Sequence, residues 1–150
     1  MEVFRISGAK FAGLSGSGKA ARWNKANQFV LYTGSSRSLS ALELLVHKNS
    51  IQASLRFKVL SIQIRAKEEL YKKLHIKDLP KDWRYMNAYP ELQEIGSVWY
   101  EARESLVLGV PSVLIPQEYN YIINTQHPEF GKMVQIRHKE DFFWDERLMS

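Results

Sequence analysis

Short β-prone runs separated by only a few helical segments are the feature that most restricts how this chain can fold. Apolar and β-branched residues dominate five such runs, at positions 3–6, 29–33, 55–64, 105–115 and 132–137. Helical spacing of apolar residues is clear at only two places, after residue 35 and over residues 89–104. Strands that outnumber helices in this way predict an α+β fold, because a doubly wound sheet needs a helix between successive strands.

The run at 55–64 carries an irregularity that predicts a β-bulge. Its apolar residues alternate at 55, 57 and 59 and then resume at 60, 62 and 64, so the alternation changes phase. An extra residue in a strand produces such a change. Residues 66–74 predict a short polar helix or a turn, and residues 111–112 interrupt the run at 105–115.

Size and composition predict one soluble domain that spans residues 1–150. A chain of 150 residues with 45% hydrophobic content can bury one core. No run approaches the roughly 18 apolar residues of a membrane helix, and the N-terminus lacks the apolar segment of a signal peptide. We therefore expect a cytoplasmic protein without a membrane partner. The absence of cysteine excludes disulfides and thiolate chemistry, and it fits a reducing compartment.

The net charge of +5 suits an anionic partner such as a nucleic acid, a phosphorylated metabolite or an acidic protein. The basic residues are scattered, with the densest groups at 67–81 and 137–139. No recognisable nucleic-acid module accompanies them, so direct DNA binding by this chain is not expected.

The glycine-rich segment at 13–20, GLSGSGKA, has the spacing of a phosphate-binding P-loop. Ala20 stands where such a loop needs a Ser or Thr hydroxyl to hold magnesium, and residues 22–24 interrupt the helix that should follow. The segment is therefore predicted to be a loop without NTPase function. Lys19 remains a candidate rim residue beside an anion site.

Residues 22–47 concentrate groups that can hold a charged, aromatic ligand. Arg22 precedes a β-like run that carries Tyr32, and Glu43 is the one carboxylate of a very apolar helix. The serine cluster at 35–40 offers several N-caps for that helix. Because its faces are nearly all apolar, we expect the helix to be buried almost all round, where a carboxylate costs several kcal/mol unless it is paired. Alternatively, Ser40 and Glu43 form a capping box.

Other chemistries are poorly supported. Four histidines without cysteine or zinc-ligand spacing predict no metal site. Ser112 lacks the glycines of a nucleophile elbow, and a two-carboxylate glycosidase would need Glu118 as a second buried acid. What remains is a set of four candidate site residues: Arg22, Tyr32, Glu43 and Ser112.

This set is consistent with cleavage of NAD at its nicotinamide ribose. Arginine can bind a diphosphate through two parallel hydrogen bonds, and tyrosine can stack on a flat cationic ring such as nicotinamide. A buried carboxylate stabilises an oxocarbenium-like cation and holds ribose hydroxyls.

Several sequence motifs then point to a known family. They are Arg22-Trp23-Asn24, Tyr32, Ala41-Leu42-Glu43, His47, Val110-Pro111-Ser112, Glu118-x-Asn120-x-x-x-Asn124 with His127-Pro128, and Phe143-Trp144-Asp145-x-Arg147-Leu148. On these residues, in this order along nearly the whole chain, the sequence resembles the RES domain, the toxin half of bacterial RES–Xre toxin–antitoxin modules. Asn27 and Thr125 depart from the expected glycine and proline, both at turn positions that the replacements can keep.

The resemblance implies a compact domain akin to ADP-ribosyltransferases, with a split, twisted sheet around an NAD cleft. It implies a toxin that consumes NAD as a substrate, without a metal, by hydrolysis, phosphorolysis or ADP-ribosyl transfer, and so arrests growth. Carried over by position, Arg22 would bind the NAD phosphate or ribose and Tyr32 would stack on nicotinamide. Glu43 would orient the ribose and stabilise the cation. Ser112 would form a hydrogen bond to the ligand or position Arg22 or Glu43. Asn124 and His127 would support cofactor binding.

The resemblance also implies partners. An Xre-like helix-turn-helix antitoxin would cover the cleft in an oligomeric toxin–antitoxin complex. Inorganic phosphate or an acceptor protein for ADP-ribose would be a second substrate. Two alternatives stay open: an RNA-cleaving or nucleic-acid-binding toxin, which could use His127 with Arg137 and His138, and a non-catalytic module that binds a ligand in the same cleft.

Overall fold

The chain folds around a mixed, twisted, seven-stranded sheet, which confirms the predicted α+β fold. The structure is a computed structural model, and it describes residues 1–47 and 56–148. In chain order the described elements are β1 (Glu2–Gly8), β2 (Val30–Gly34), α1 (Arg37–Leu45), β3 (Phe57–Ile64), β4 (Tyr71–Lys73), α2 (Tyr89–Ala102), β5 (Val107–Pro111), β6 (Tyr119–Asn124), α3 (Phe130–Met133) and β7 (Val134–Phe142).

The sheet consists of two well-paired halves that barely touch. The strand order is β4-β5-β6-β2-β1-β3-β7, and among these described strands only β4 and β5 run parallel. Strands β1 and β3 pair along the whole of β1, from Glu2 to Gly8. In contrast, β1 and β2 share a single register pair, Phe4 with Gly34. The sheet is therefore split between β1 and β2, as the resemblance implies.

Helices α1 and α2 cover the same face of the sheet, one on each half. Directly paired residues of antiparallel strands point to the same side, so the pairing places Ile6 and Val59 on the same face as Val30 and Ile122. The first two pack under α1, and the last two pack under α2. A cleft is left between the two helices, directly over the split.

Strand β3 contains no extra residue, so the phase change of its apolar residues has a cause other than a bulge in β3. Phe57 and Val59 pack on the face covered by α1, whereas Leu60, Ile62 and Ile64 belong to the core on the opposite face. The register with β7 does shift between Ser61 and Ile62, but the extra residue lies in β7. The apolar run changes phase because the covered face changes. Leu55, where the sequence places the start of this strand, lies outside the described residues.

Most sequence-predicted elements are present, with two strands missed. Strand predictions at 3–6, 29–33 and 132–137 fall on β1, β2 and β7, and α2 matches the prediction for 89–104. Residues 13–18 form a loop, as expected. Within residues 66–74, a short 3-10 helix at Glu68–Leu70 fits the prediction of a helix or turn, but the sequence does not predict β4, which follows it. The sequence does not predict β6 either.

Helix α1 differs from its prediction in two ways. Its N-cap is Ser36, whose hydroxyl accepts a hydrogen bond from the Leu39 amide, so the capping box of Ser40 and Glu43 is wrong. The Ser40 hydroxyl instead donates to the Phe4 carbonyl of β1. Burial all round is also wrong, because only Leu39 and Ser40 are buried in α1. The helix packs over one half of a split sheet, so its outer face stays in solvent.

Among residues 1–47 and 56–148, none of the helices is long and apolar enough to cross a membrane.

Candidate active site

A cleft of about 540 Å³ opens over the split in the sheet, between α1 and the start of α2. Arg22, Tyr32 and Glu43 all line it. Volumes of this order are typical of sites for cofactor-sized ligands. Three of the four site residues selected from the sequence therefore line one cavity.

Arg22 is presented by a tight turn that is tied to the rest of the fold. Within the turn, the Ala21 amide donates to the Asn24 carbonyl, 3.1 Å away. One guanidinium nitrogen of Arg22 donates to the Trp83 carbonyl at 3.0 Å. The guanidinium carbon lies 4.7 Å from the centre of the Tyr89 ring, a cation–π distance. These contacts hold the guanidinium in place at the cleft.

Tyr32 supports this turn through its hydroxyl. The phenol donates to Asn24 Oδ1 at 2.6 Å and accepts from the Trp23 amide at 3.1 Å. The sequence suggested only a stacking role for the ring, which does line the cleft. Burial raises the pKa of Tyr32 well above its ordinary value, and this outweighs the opposing effect of the Trp23 hydrogen bond. The phenol is therefore neutral and able to donate at physiological pH.

Tyr32→Phe keeps the ring and removes the hydroxyl, so it separates stacking from support of the turn. We expect the free energy of unfolding to fall by about 1–3 kcal/mol, because Asn24 Oδ1 and the Trp23 amide lose a buried partner. Urea denaturation measures this change, with Tyr85→Phe at an exposed tyrosine as the control. Stability equal to wild type would contradict the supporting role.

The same pair of proteins has an expected pH dependence. Because the folded-state pKa of Tyr32 is raised, its neutral phenol stabilises the fold fully below the unfolded value of 10.0. That contribution is lost as the pH rises above this value. The stability difference between wild type and Tyr32→Phe should therefore be constant at neutral pH and shrink under alkaline conditions. A difference that grows with pH would have the wrong sign.

The Glu43 carboxylate is held by two donors on one oxygen. Ser112 Oγ donates to Glu43 Oε1 at 2.6 Å, and Asn120 Nδ2 donates to the same oxygen at 2.9 Å. The pairing anticipated for a carboxylate in this helix is thus provided by residues far away in sequence. Glu43 Oε2 is the carboxylate oxygen that these donors leave for other contacts.

Ser112 lies behind the carboxylate rather than in the cleft. It has 0% exposure and does not line the cavity. Its hydroxyl accepts from the amides of Leu114 and Ile115, both at 3.1 Å, which orients the proton toward Glu43. Of the roles that the resemblance allowed for Ser112, the geometry matches the positioning of Glu43.

Asn124 is the last residue of β6, about 13 Å along the strand from Asn120, and His127 follows the strand by three residues. Asn124 donates to the Tyr100 carbonyl and accepts from the Gln126 amide, while His127 Nδ1 accepts from the Glu129 amide. Neither residue lines the cleft. The structure does not bring them together with Arg22, Tyr32 and Glu43. Their contacts join β6 to α2 and close the turn after β6.

Sequence reasoning missed Arg5, which also lines the cleft. Its Nε is buried without a hydrogen-bond partner among the described residues, and burial lowers the pKa of its guanidinium. A buried N–H donor without a partner is costly unless a ligand accepts its hydrogen bond. The available signal was a lone arginine in the apolar run at 3–6, which no motif spacing had selected.

The glycine-rich loop at 13–20 packs on β2 through Gly16. A Cβ on Gly16 would lie 2.7 Å from the Val30 amide nitrogen, so only glycine fits there. Asn24 Nδ2 donates to the Lys19 carbonyl and fastens the loop to the Arg22 turn. The Lys19 side chain is exposed and does not line the cleft.

Similarity to known proteins identifies the family of this chain. The RES domain family model matches residues 2–145 of the chain. This chain belongs to the RES family. A RES relative from Photorhabdus laumondii, named Toxin Res, is 34% identical over 100% of this chain and 98% of its own length. Another Toxin Res, from Yersinia enterocolitica, is 31% identical over 99% of each chain. A Sphingobium relative named Prs ADP-ribosylating toxin is 31% identical over 91% of this chain and 86% of its own length.

The arrangement of side chains also bears on whether the chain could form a metal site. Within residues 1–47 and 56–148, no group of three or more His, Cys, Asp or Glu side chains is arranged to hold a metal ion.

Proposed function

We propose that this chain is a toxin that consumes NAD by breaking the bond between nicotinamide and ribose. The observation that carries the proposal is the cleft in which Arg22, Tyr32 and a fixed Glu43 carboxylate lie together. The names of the relatives add support, since several are toxins and the one from Sphingobium is an ADP-ribosylating toxin.

Each residue has a part in this chemistry. Arg22 and Arg5 are cations that line the cleft, and they suit the diphosphate of a dinucleotide. The ring of Tyr32 offers a face for the cationic nicotinamide. When the bond breaks, nicotinamide leaves with the electron pair and positive charge develops at C1′ of the ribose. The Glu43 carboxylate would stabilise that charge until an acceptor oxygen bonds to the same carbon.

Water, phosphate or a protein side chain could supply the acceptor oxygen. We propose that the protein acts in the cytoplasm, where NAD is available, and that an Xre-like helix-turn-helix antitoxin neutralises it by covering the cleft. Exposed apolar side chains near the cleft support a protein partner there. They are Val46, which lines the cleft, and Tyr85 and Met86 in the segment that leads into Tyr89.

Nicotinamide release from NAD by the purified chain tests the proposal. We expect release by wild type and strong loss in Arg22→Ala, because the cation that holds the substrate is gone. Reactions are run with and without inorganic phosphate, and with added cell protein, and the ADP-ribose products are identified by mass spectrometry. ADP-ribose indicates hydrolysis, ADP-ribose 1″-phosphate indicates phosphorolysis, and modified protein indicates transfer.

Two outcomes would contradict the proposal. Cleavage of RNA without nicotinamide release in any arm would favour a ribonuclease toxin. Tight NAD binding without turnover in any arm would favour a binding module.

A further inference from the structure

Asn120 is placed by strand pairing at the junction of the cleft and the Glu43 helix. It lies in β6 opposite Gly34 of β2 and opposite Val110 of β5. Asn120 Nδ2 donates to Glu43 Oε1 at 2.9 Å, and Asn120 also lines the cleft. It is therefore a direct neighbour of the carboxylate proposed to act on the substrate.

The donor and the acceptor of the Asn120 side-chain amide have very different surroundings. The donor end bonds to Glu43, while Oδ1 is buried without any hydrogen-bond partner among the described residues. An asparagine that only filled a structural role would be expected to satisfy both ends, because an unpaired buried acceptor is costly. The reversed amide would turn Oδ1 toward the carboxylate, where two acceptors repel. The observed orientation provides a hydrogen-bond donor to Glu43 and leaves Oδ1 without a partner among the described residues.

Asn120 and Ser112 converge on the same carboxylate oxygen from different parts of the chain. Ser112 follows β5 and is fixed by the Leu114 and Ile115 amides, whereas Asn120 is fixed by the β2–β6 ladder. A glutamate has three rotatable side-chain bonds, so one hydrogen bond leaves its carboxylate free to swing. Two donors from rigid elements fix both its position and its plane.

We propose that Asn120 is a positioning residue that holds the Glu43 carboxylate with Oε2 directed to the substrate. This inference rests on the proposed NAD cleavage for its kinetic consequence, but not for its geometric one. Neither the family assignment nor the names of the relatives assign a role to Asn120.

Asn120→Ala tests the kinetic consequence, with Asn87→Ala at an exposed asparagine as the matched control. We expect kcat for nicotinamide release to fall by about 10–100-fold, since small misplacements of a reacting group have effects of this size. The KM for NAD should change by less than about threefold, because Arg22 and Tyr32 are intact. A kcat equal to that of the control would overturn the proposal.

Asn120→Asp is nearly isosteric and turns the donor into a second carboxylate beside Glu43. Two carboxylates at this distance resist ionising together. We therefore expect the acid limb of the pH–rate profile to move to higher pH, an effect that a purely structural role would not produce. An unchanged limb would count against the direct contact. This variant also keeps the side-chain volume if Asn120→Ala proves unstable.

An arm without turnover separates this inference from the proposed function. Glutamate labelled with 13C at the side-chain carboxyl is observed by NMR at neutral pH, and Glu43→Gln assigns the Glu43 signal. The chemical shift of this signal should change in Asn120→Ala, because Glu43 Oε1 loses a donor, and should not change in Asn87→Ala. If wild type releases no nicotinamide, the proposed function is wrong, and this spectrum still decides the role of Asn120. If the chemical shift is the same in wild type and Asn120→Ala, Asn120 does not hold Glu43.

Discussion

Glu43→Gln is expected to lower nicotinamide release from NAD by about 10²–10³-fold, the effect of removing one preorganised electrostatic contact to a developing charge. Glutamine has nearly the same shape and keeps an oxygen that can accept from Ser112 and Asn120, which now bond to Glu43 Oε1. The substitution removes the negative charge while the fold is expected to remain. The loss should appear in kcat more than in the KM for NAD.

The control for this experiment is Glu140→Gln. Glu140 is an exposed residue of β7, which pairs with β3 on the edge of the sheet and contributes nothing to the cleft. Its removal changes the net charge of the chain by the same amount and should leave the rate unchanged. A Glu43→Gln protein with wild-type turnover and wild-type thermal stability would show that the carboxylate has no part in the chemistry.

The sequence could identify the part of the site that is local in the chain. Arg22, Tyr32 and Glu43 follow one another within a short stretch, and the chemistry of an arginine, a tyrosine and a carboxylate in apolar surroundings is readable from residue types alone. The contacts that hold Glu43 are not local. They depend on the pairing of β2 with β6, which brings Asn120 beside α1. No single-sequence pattern specifies which strands become neighbours.

The misassigned elements have related causes. Strand β6 contains Asn120 and Asn124, and these polar residues face inward for hydrogen bonding, so they break the apolar alternation that marks a strand. Helix α1 is apolar enough to be buried all round, yet the split in the sheet leaves one side in solvent, and only Leu39 and Ser40 of the helix are buried. In both cases tertiary position decides burial, and residue type does not.

Helix α2 also has a feature that its sequence conceals, since a glycine in mid-helix ordinarily reads as a weakness. A Cβ at Gly96 would lie 1.7 Å from the Trp23 carbonyl oxygen. The helix backbone therefore touches the turn that presents Arg22. Neighbouring α2 side chains hold the same segment: Gln93 donates to the Ala21 carbonyl, and Ser97 accepts from Gln28.

Gly96→Ala is therefore expected to destabilise the protein, although alanine is favoured over glycine in a helix interior by about 1 kcal/mol. The added methyl meets backbone, which cannot rotate away, so either α2 or the Arg22 turn must move. We expect the free energy of unfolding to fall by about 3 kcal/mol, at the upper end of overpacking effects. Nicotinamide release by the protein that remains folded should fall by about 10²-fold, because Arg22 is displaced.

Gly131→Ala in α3 is the matched control, because a Cβ there meets nothing within 4 Å. Helix propensity alone predicts the same small gain for both substitutions, so opposite signs in urea denaturation isolate the contact with Trp23. A Gly96→Ala protein as stable as wild type would mean that the α2 backbone is not in close contact with the turn that presents Arg22. If stability falls while turnover per folded molecule is unchanged, α2 supports the fold but does not set the position of Arg22.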